Sequence, residues 1–129
     1  MQIDQTKINF MPLIQGALGD KNDISTHVYA NVETLMLEYE TDPDAISPLL
    51  PECFKPGASS SVSVLFIENN GVDFMAGGGY RLAAITVATQ FDGEAGHLEG
   101  DYVLLMPEDS TLPIITGREW LGMPKFFSD

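Results

Sequence analysis

The sequence is poor in cysteine and in basic residues, and each shortage excludes a class of protein. Cys53 is the only cysteine among 129 residues, so the chain cannot form an internal disulfide, and we expect a reducing, cytoplasmic location. Six basic residues stand against 19 acidic ones, which gives a net charge of −13 at pH 7. Because nucleic acids and anionic membranes are polyanions, we expect the protein to bind neither.

Long apolar runs and clusters of metal ligands are also missing. No apolar stretch approaches the roughly 18 residues of a membrane span, and no basic region followed by an apolar run begins the chain, so neither a membrane anchor nor an export signal is expected. His97 lies among acidic residues, but one histidine in a glycine-containing connection indicates a solvated turn, and no metal site is predicted. Cys53 lies in no nucleophile motif and is expected to be a small buried residue.

The residues that are present predict one mainly β domain over residues 1–129. With 44% hydrophobic and 19% charged residues, the composition is that of a globular domain with a core. Alternating apolar residues predict strands, the first with an irregularity where the alternation changes face, and Asn69-Asn70-Gly71 predicts a turn. The predicted strands, which we expect to pair mostly antiparallel, are residues 27–40, 60–69 and 80–91, followed by apolar runs at 101–107 and 111–116.

One short helix is predicted after the first strand. Asp42 is suited to cap its free amides, Pro43 suits the first helical position, and Pro48 limits the helix to about two turns.

The last thirteen residues, 117–129, hold the most distinctive lysine of the chain. Lys125 is the only one of four lysines with Trp, Leu, Met and Phe within five positions, and such neighbours can remove water from an ammonium group. An ordinary lysine is almost fully protonated at pH 7, so a lysine nucleophile needs surroundings that favour the neutral amine. The alternative is that Lys125 closes a short helical turn and extends its ammonium to water over an apolar floor.

The segment that carries Lys125 resembles the active-site segment of the acetoacetate decarboxylase family. The resemblance rests on Gly117-Arg118-Glu119 followed by Pro124-Lys125. Further landmarks agree in order and spacing: Met11-Pro12-Leu13, Thr41-Asp42, Leu50-Pro51, Gly79-Tyr80 and Gly100-Asp101-Tyr102.

The resemblance implies a fold, a catalytic residue and a set of partners. The fold is an antiparallel β-cone or barrel around an apolar cavity, with the lysine on a short helical segment. This chain corresponds either to the amino-terminal part of that fold or to a shortened form of it. Lys125 would form a Schiff base, and the family is itself a well-known example of an amine activated by desolvation or by a neighbouring cation. We expect no cofactor or metal, and a homo-oligomer that covers the open sheet edges.

Assigned roles and departures follow from the same resemblance. Glu119 is the candidate for proton transfer and Arg118 for binding the substrate carboxylate, with Met123 and Phe126 as neighbouring substrate contacts. Phe126 occupies the place of a second family lysine. The family arginine falls on Val32, and two family acids fall on Ile67 and Leu82. Glu68 replaces the acid at Ile67 only if a bulge intervenes, because a one-residue slip reverses the face of a strand.

Three functions are consistent with these residues. The first is a lyase that forms a Schiff base with a β-keto acid and releases carbon dioxide. The second keeps the imine but performs aldol addition, dehydration or hydration of a keto acid. The third is a β-cavity protein that binds small apolar or keto compounds without catalysis, or an incomplete remnant with no activity.

Overall fold

The main feature of the fold is one open, six-stranded sheet. The computed structural model describes residues 9–10, 19–20, 27–94 and 96–129, and the Met11-Pro12-Leu13 landmark lies outside them. A separate antiparallel pair is formed by β1 (Asn9–Phe10) and β2 (Gly19–Asp20). The strands of the large sheet are β3 (Tyr29–Glu40), β4 (Phe54–Pro56), β5 (Ser61–Val72), β6 (Gly78–Gly93), β7 (Gly96–Glu108) and β8 (Lys125–Phe127).

The strand order confirms the mainly β prediction and adds one parallel pair. The order is β3-β5-β6-β7-β8, and β4 pairs with β6. Neighbours are antiparallel except β7 and β8, which run parallel. Within the described residues the sheet is open, with β3 at one end and β8 at the other, rather than closed into a barrel.

Strand β3 is slightly shorter and more regular than its sequence predicts. The strand itself is confirmed, but the predicted irregularity is wrong, because the pairing with β5 runs without a register shift from Asn31 to Glu40. All residues of β3 are exposed. Since neither face of this strand is buried in the described structure, apolar residues can change face without a bulge to correct them.

The turn predicted at residues 69–71 is wrong, because β5 continues to Val72. Gly71 has a φ of 64°, and the pairing of β5 with β6 shifts between Asn69 and Val72. Glycine adopts this left-handed conformation readily, so the Asn-Gly pair forms an irregularity inside the strand. The chain reverses afterwards, in the 3₁₀ turn Asp73–Met75.

The predicted short helix is confirmed. Helix α1 spans Pro43–Ile46, and a 3₁₀ turn follows over Ser47–Leu49. The side chain of Asp42 accepts a hydrogen bond of 2.9 Å from the amide of Asp44, as expected of a helix cap. Ile46 is 1% exposed and packs with Val62 and Val87 in the core cluster.

The apolar run at residues 111–116 is helical, and the expectation of another strand there is wrong. Helix α2 spans Thr111–Leu121, although its sequence contains Gly117 and several β-branched residues that disfavour helices; Pro113 is tolerated because it lies in the first turn. Pro113, Ile114 and Gly117 are buried, so packing against the sheet outweighs weak intrinsic propensity. A parallel β7–β8 pair also requires a crossover, which α2 supplies.

Three smaller expectations concern Cys53, His97 and helices that could span a membrane. Cys53 is exposed, so the expectation of a buried cysteine is wrong; it lies in the turn before β4 rather than in the core. His97 is exposed, as expected, but it lies in strand β7 rather than in a turn, and a 2.8 Å hydrogen bond joins it to Asp92 across the hairpin. None of the helices in the described ranges is long and apolar enough to cross a membrane.

Candidate active site

Lys125 is brought to the sheet by an abrupt end of helix α2. Gly122 adopts a φ of 66°, and its amide bonds to the carbonyl of Arg118. Glycine is favoured in this position because it has no Cβ to strain, and Pro124 then prevents the helix from resuming. Lys125 therefore begins β8, opposite Met106 of β7. The expectation that it lies on a helical segment is wrong, because the helix ends before it.

The ammonium group of Lys125 is held inside the protein. Its Nζ donates to Oε1 of Glu108 at 3.1 Å and to the carbonyl oxygen of Pro113 at 3.2 Å. Only 8% of the residue is exposed, and Nζ lies 5.8 Å from the centre of the Tyr80 ring. The alternative in which Lys125 extends to water is therefore wrong. Its burial comes from α2 and the sheet, since Leu121 and Phe126 are themselves exposed.

Glu108 is the most deeply buried charged side chain of the site. It is 1% exposed, and its Oε2 is buried without a hydrogen-bond partner among the described residues. Burial raises the pKa of Glu108 above its ordinary value of 4.5, and the bond from Lys125 only partly opposes that rise. A carboxyl group that holds its proton more readily than usual thus faces the candidate nucleophile.

Tyr80 and Asn69 extend this polar cluster along the same side of the sheet. The two residues are directly paired between β5 and β6, and they are 8% and 5% exposed. Burial raises the pKa of the Tyr80 phenol, and its contact with the hydroxyl of Tyr29, at 3.4 Å, adds to the rise. The amide nitrogen of Asn69 has no hydrogen-bond partner within the described part of the chain.

Gly117 lets helix α2 lie directly on the lysine side chain. A Cβ at this position would be 2.6 Å from both Cδ and Cε of Lys125 and 3.0 Å from Nζ. These separations are far below ordinary van der Waals contact, so a larger residue would displace the lysine or the helix.

None of the other predicted site residues bonds to the Lys125 ammonium in the described structure. Arg118 donates from Nη1 to the backbone carbonyl of Lys125 at 2.8 Å, which ties the helix to β8. Glu119 is exposed on α2, Phe126 is 47% exposed, and Met123 is partly buried. The acid that contacts Lys125 is Glu108, whereas the sequence had indicated Glu119. The signal for Glu108 was its place at the end of a continuous apolar run, residues 102–107.

The sequence profile of the acetoacetate decarboxylase family matches residues 10–129. The chain belongs to this family. An acetoacetate decarboxylase of Chromobacterium violaceum is 34% identical over 97 residues, which are 75% of this chain and 37% of the relative. A second, of Burkholderia ambifaria, is 28% identical over 121 residues, or 94% of this chain and 45% of the relative.

The solved acetoacetate decarboxylases agree with the fold. The crystal structure of the enzyme from Legionella pneumophila superposes with a TM-score of 0.65 at 28% identity, covering 81% of this chain and 39% of that one. The chain therefore spans less than half the length of the acetoacetate decarboxylases it matches.

The positions where the acetoacetate decarboxylase acids were expected form one row of the sheet with Glu108. Ile67 is paired with Leu82, and Leu82 is paired with Glu108. Directly paired residues project to the same face, so Glu108 supplies a carboxylate one strand away from Leu82. Glu68 pairs regularly with Arg81, and the irregularity of β5 begins only after Asn69, so no bulge brings Glu68 to this face.

A cavity of about 540 Å³ reaches the site at Glu108, although Lys125 itself is not among its lining residues. It is bordered by Arg81, whose Nε donates to Asp109 at 2.8 Å, and by Phe66, Leu35 and Glu68. No group of three or more His, Cys, Asp or Glu side chains is placed to hold a metal ion in the residues that the structure describes.

Proposed function

We propose that this protein is an acetoacetate decarboxylase-like lyase that forms a Schiff base between Lys125 and a β-keto acid. The observation that carries the proposal is the buried Nζ of Lys125, held at 3.1 Å from Glu108 beneath a helix whose glycine leaves room for it. Membership of the acetoacetate decarboxylase family supports the same reaction class. Since the chain spans 37–45% of those relatives, the activity of the whole protein is part of the proposal.

The chemistry needs only the lysine as an electron sink. The neutral amine attacks the ketone, water leaves, and an iminium carbon forms next to the carboxylated carbon. The carbon–carbon bond to the carboxylate then breaks, its electrons move to nitrogen, and carbon dioxide departs. The enamine takes a proton on carbon, and water hydrolyses the imine to release the ketone and the lysine.

Arg118 is proposed to bind the substrate carboxylate, in addition to holding the carbonyl of Lys125. A guanidinium suits a carboxylate because it donates two parallel hydrogen bonds. This role predicts that Arg118→Met weakens imine formation with acetoacetate more than with a neutral ketone of similar size. An equal loss with both compounds would leave Arg118 with the structural role alone. Met123 and Phe126 are proposed as apolar substrate contacts.

The decisive experiment is borohydride trapping with acetoacetate, read by intact mass and peptide mapping. We expect one stable adduct on Lys125, lost in Lys125→Ala and retained in Lys55→Ala. Lys55 is a suitable control because it is an exposed lysine that bonds to Asp92. Absence of an adduct on folded protein would exclude the Schiff-base functions and favour a non-catalytic binding protein.

Measurement of carbon dioxide separates the two imine-forming functions. A decarboxylase releases one carbon dioxide for each acetoacetate consumed. An adduct on Lys125 without carbon dioxide, together with aldol or dehydration products from other keto acids, would favour the second function.

A further inference from the structure

We propose that Glu108 is the catalytic residue that exchanges protons with Lys125, taking the proton of its ammonium and returning it during imine formation. The inference rests on the proposed Schiff-base function and assigns the proton acceptor of that site. It is argued from the burial of the pair, the unpartnered oxygen of Glu108 and the neighbouring groups.

The burial of both members reduces the preference for the charged form of the pair over its neutral form. An ion pair that is removed from water loses the hydration of both charges, and the attraction between the charges offsets that loss only in part. Moving one proton across the 3.1 Å bond from Nζ to Oε1 replaces the two charges with a neutral amine and a neutral acid. The net charge of the pair stays zero, so the step needs no counterion from outside.

The groups that face the pair give the lysine no cationic neighbour to expel its proton. Arg118 points its Nη1 at the backbone carbonyl of Lys125, and Phe126 occupies the next position of β8. From β6 the pair faces Tyr80, and from β7 the adjacent acid is Asp109, which bonds to Arg81. Within this described environment, Glu108 is the group placed to accept the proton.

The second oxygen of Glu108 gives the carboxyl a further function. Oε1 is occupied by Lys125, whereas Oε2 is buried and has no partner among the described residues. A buried oxygen without a hydrogen-bond partner is unfavourable, unless another group donates a hydrogen bond to it during the reaction. The hydroxyl of a carbinolamine formed on Lys125 can donate such a hydrogen bond.

The proton balance closes with this one acid. The amine of Lys125 adds to the ketone carbon, and one proton moves from its nitrogen to the carbonyl oxygen, giving a neutral carbinolamine. The protonated Glu108 then gives its proton to the hydroxyl, and the carbon–oxygen bond breaks to release water. The nitrogen lone pair forms the iminium, which retains one N–H and faces the carboxylate of Glu108. No oxidant, metal or second acid is consumed.

The test compares Glu108→Gln with Glu52→Gln, an equal loss of charge at an exposed residue. The rate of imine formation on Lys125 is followed at pH 7 by borohydride trapping with formaldehyde, which needs no substrate recognition, and in parallel with acetoacetate. We expect Glu108→Gln to slow trapping by formaldehyde at least tenfold and Glu52→Gln to leave it unchanged. Glu108→Asp, which keeps the carboxyl, is expected to restore part of the rate.

A purely structural ion pair predicts the opposite sign. If Glu108 only holds Lys125 in its charged form, removing the carboxylate frees the amine, and trapping becomes faster in Glu108→Gln. A rate that rises or does not change, in a variant with an unaltered circular dichroism spectrum, overturns the inference. Should Glu108→Gln fail to fold, the same comparison is made with Glu108→Asp, for which a rate at or above wild type is the contradicting result.

The two reagents separate failure of this inference from failure of the proposed function. Trapping by formaldehyde that depends on Glu108, without trapping by acetoacetate, would retain the proton exchange and reject the keto-acid lyase. Trapping by acetoacetate that is unaffected in Glu108→Gln would retain the lyase and reject the role of Glu108.

Discussion

Replacing Gly117 with alanine tests whether helix α2 is packed against the side chain of the candidate nucleophile. The added Cβ would lie 2.6 Å from Cδ and Cε of Lys125. These atoms end a flexible side chain, but the lysine can move away only by giving up its bonds to Glu108 and to the carbonyl of Pro113. The perturbation therefore acts on the site through one methyl group.

The expected effect of Gly117→Ala on the free energy of unfolding has opposite signs in the wild type and in the Lys125→Ala variant. In an unobstructed helix interior, alanine is favoured over glycine by about 1 kcal/mol. Overpacking of a buried contact costs about 1–3 kcal/mol. We therefore expect Gly117→Ala to destabilise the wild type by about 1 kcal/mol and to stabilise the Lys125→Ala variant by about the same amount. The resulting coupling energy is about 2 kcal/mol, in the range for residues in contact.

The assay is urea denaturation of the four proteins of this double-mutant cycle. Lys125→Ala also leaves Glu108 without its partner, but that effect is common to one side of the cycle and cancels. Trapping by formaldehyde on the Gly117→Ala protein gives a second reading, because displacement of the amine from Glu108 is expected to slow it. Additive energies within about 0.5 kcal/mol would refute the reasoning.

Three further predictions concern other contacts. Burial opposes ionisation of Asp109, but the bonds from Arg81 outweigh it and hold the pKa of Asp109 below 3.8. We therefore expect Asp109→Asn to lower the free energy of unfolding by about 1 kcal/mol at pH 7. Denaturation across pH should show this difference vanish as the pH falls below 3.8. We expect Arg118→Met to lower the free energy of unfolding by about 1 kcal/mol through loss of its bond to Lys125, with no loss contradicting that contact. Because β3 is exposed, we expect self-association that Leu35→Lys weakens, whereas a monomer by light scattering would contradict it.

Much of the fold could be predicted from local patterns. Alternation of apolar residues located the strands at Tyr29–Glu40 and Gly78–Gly93, and Asp42-Pro43 located the first helix. The helix at Thr111–Leu121 could not be predicted from propensity, because its glycine and β-branched residues oppose it and burial against the sheet stabilises it.

The candidate site was predictable in part for a related reason. Lys125 was found because apolar neighbours and a family motif surround it in sequence. Glu108 could not be found that way, since it is 17 positions away and meets Lys125 only after α2 has crossed back to the sheet. Glu119 was favoured by proximity in sequence, yet a helix presents successive residues to different sides, and this one is exposed.

Helix α2 and the short edge strand β8 carry Lys125 to Glu108, whereas β7 is also paired with β6 along most of its length. Such an edge segment can open locally while the rest of a sheet stays folded. If opening of α2 is what admits a keto acid, the reactive fraction is set by the local free energy of opening. Each loss of about 1.4 kcal/mol in that free energy would raise the open fraction tenfold while weakening the dry surroundings that the amine requires. The stability of a single eleven-residue helix would then adjust turnover against the reactivity of the lysine.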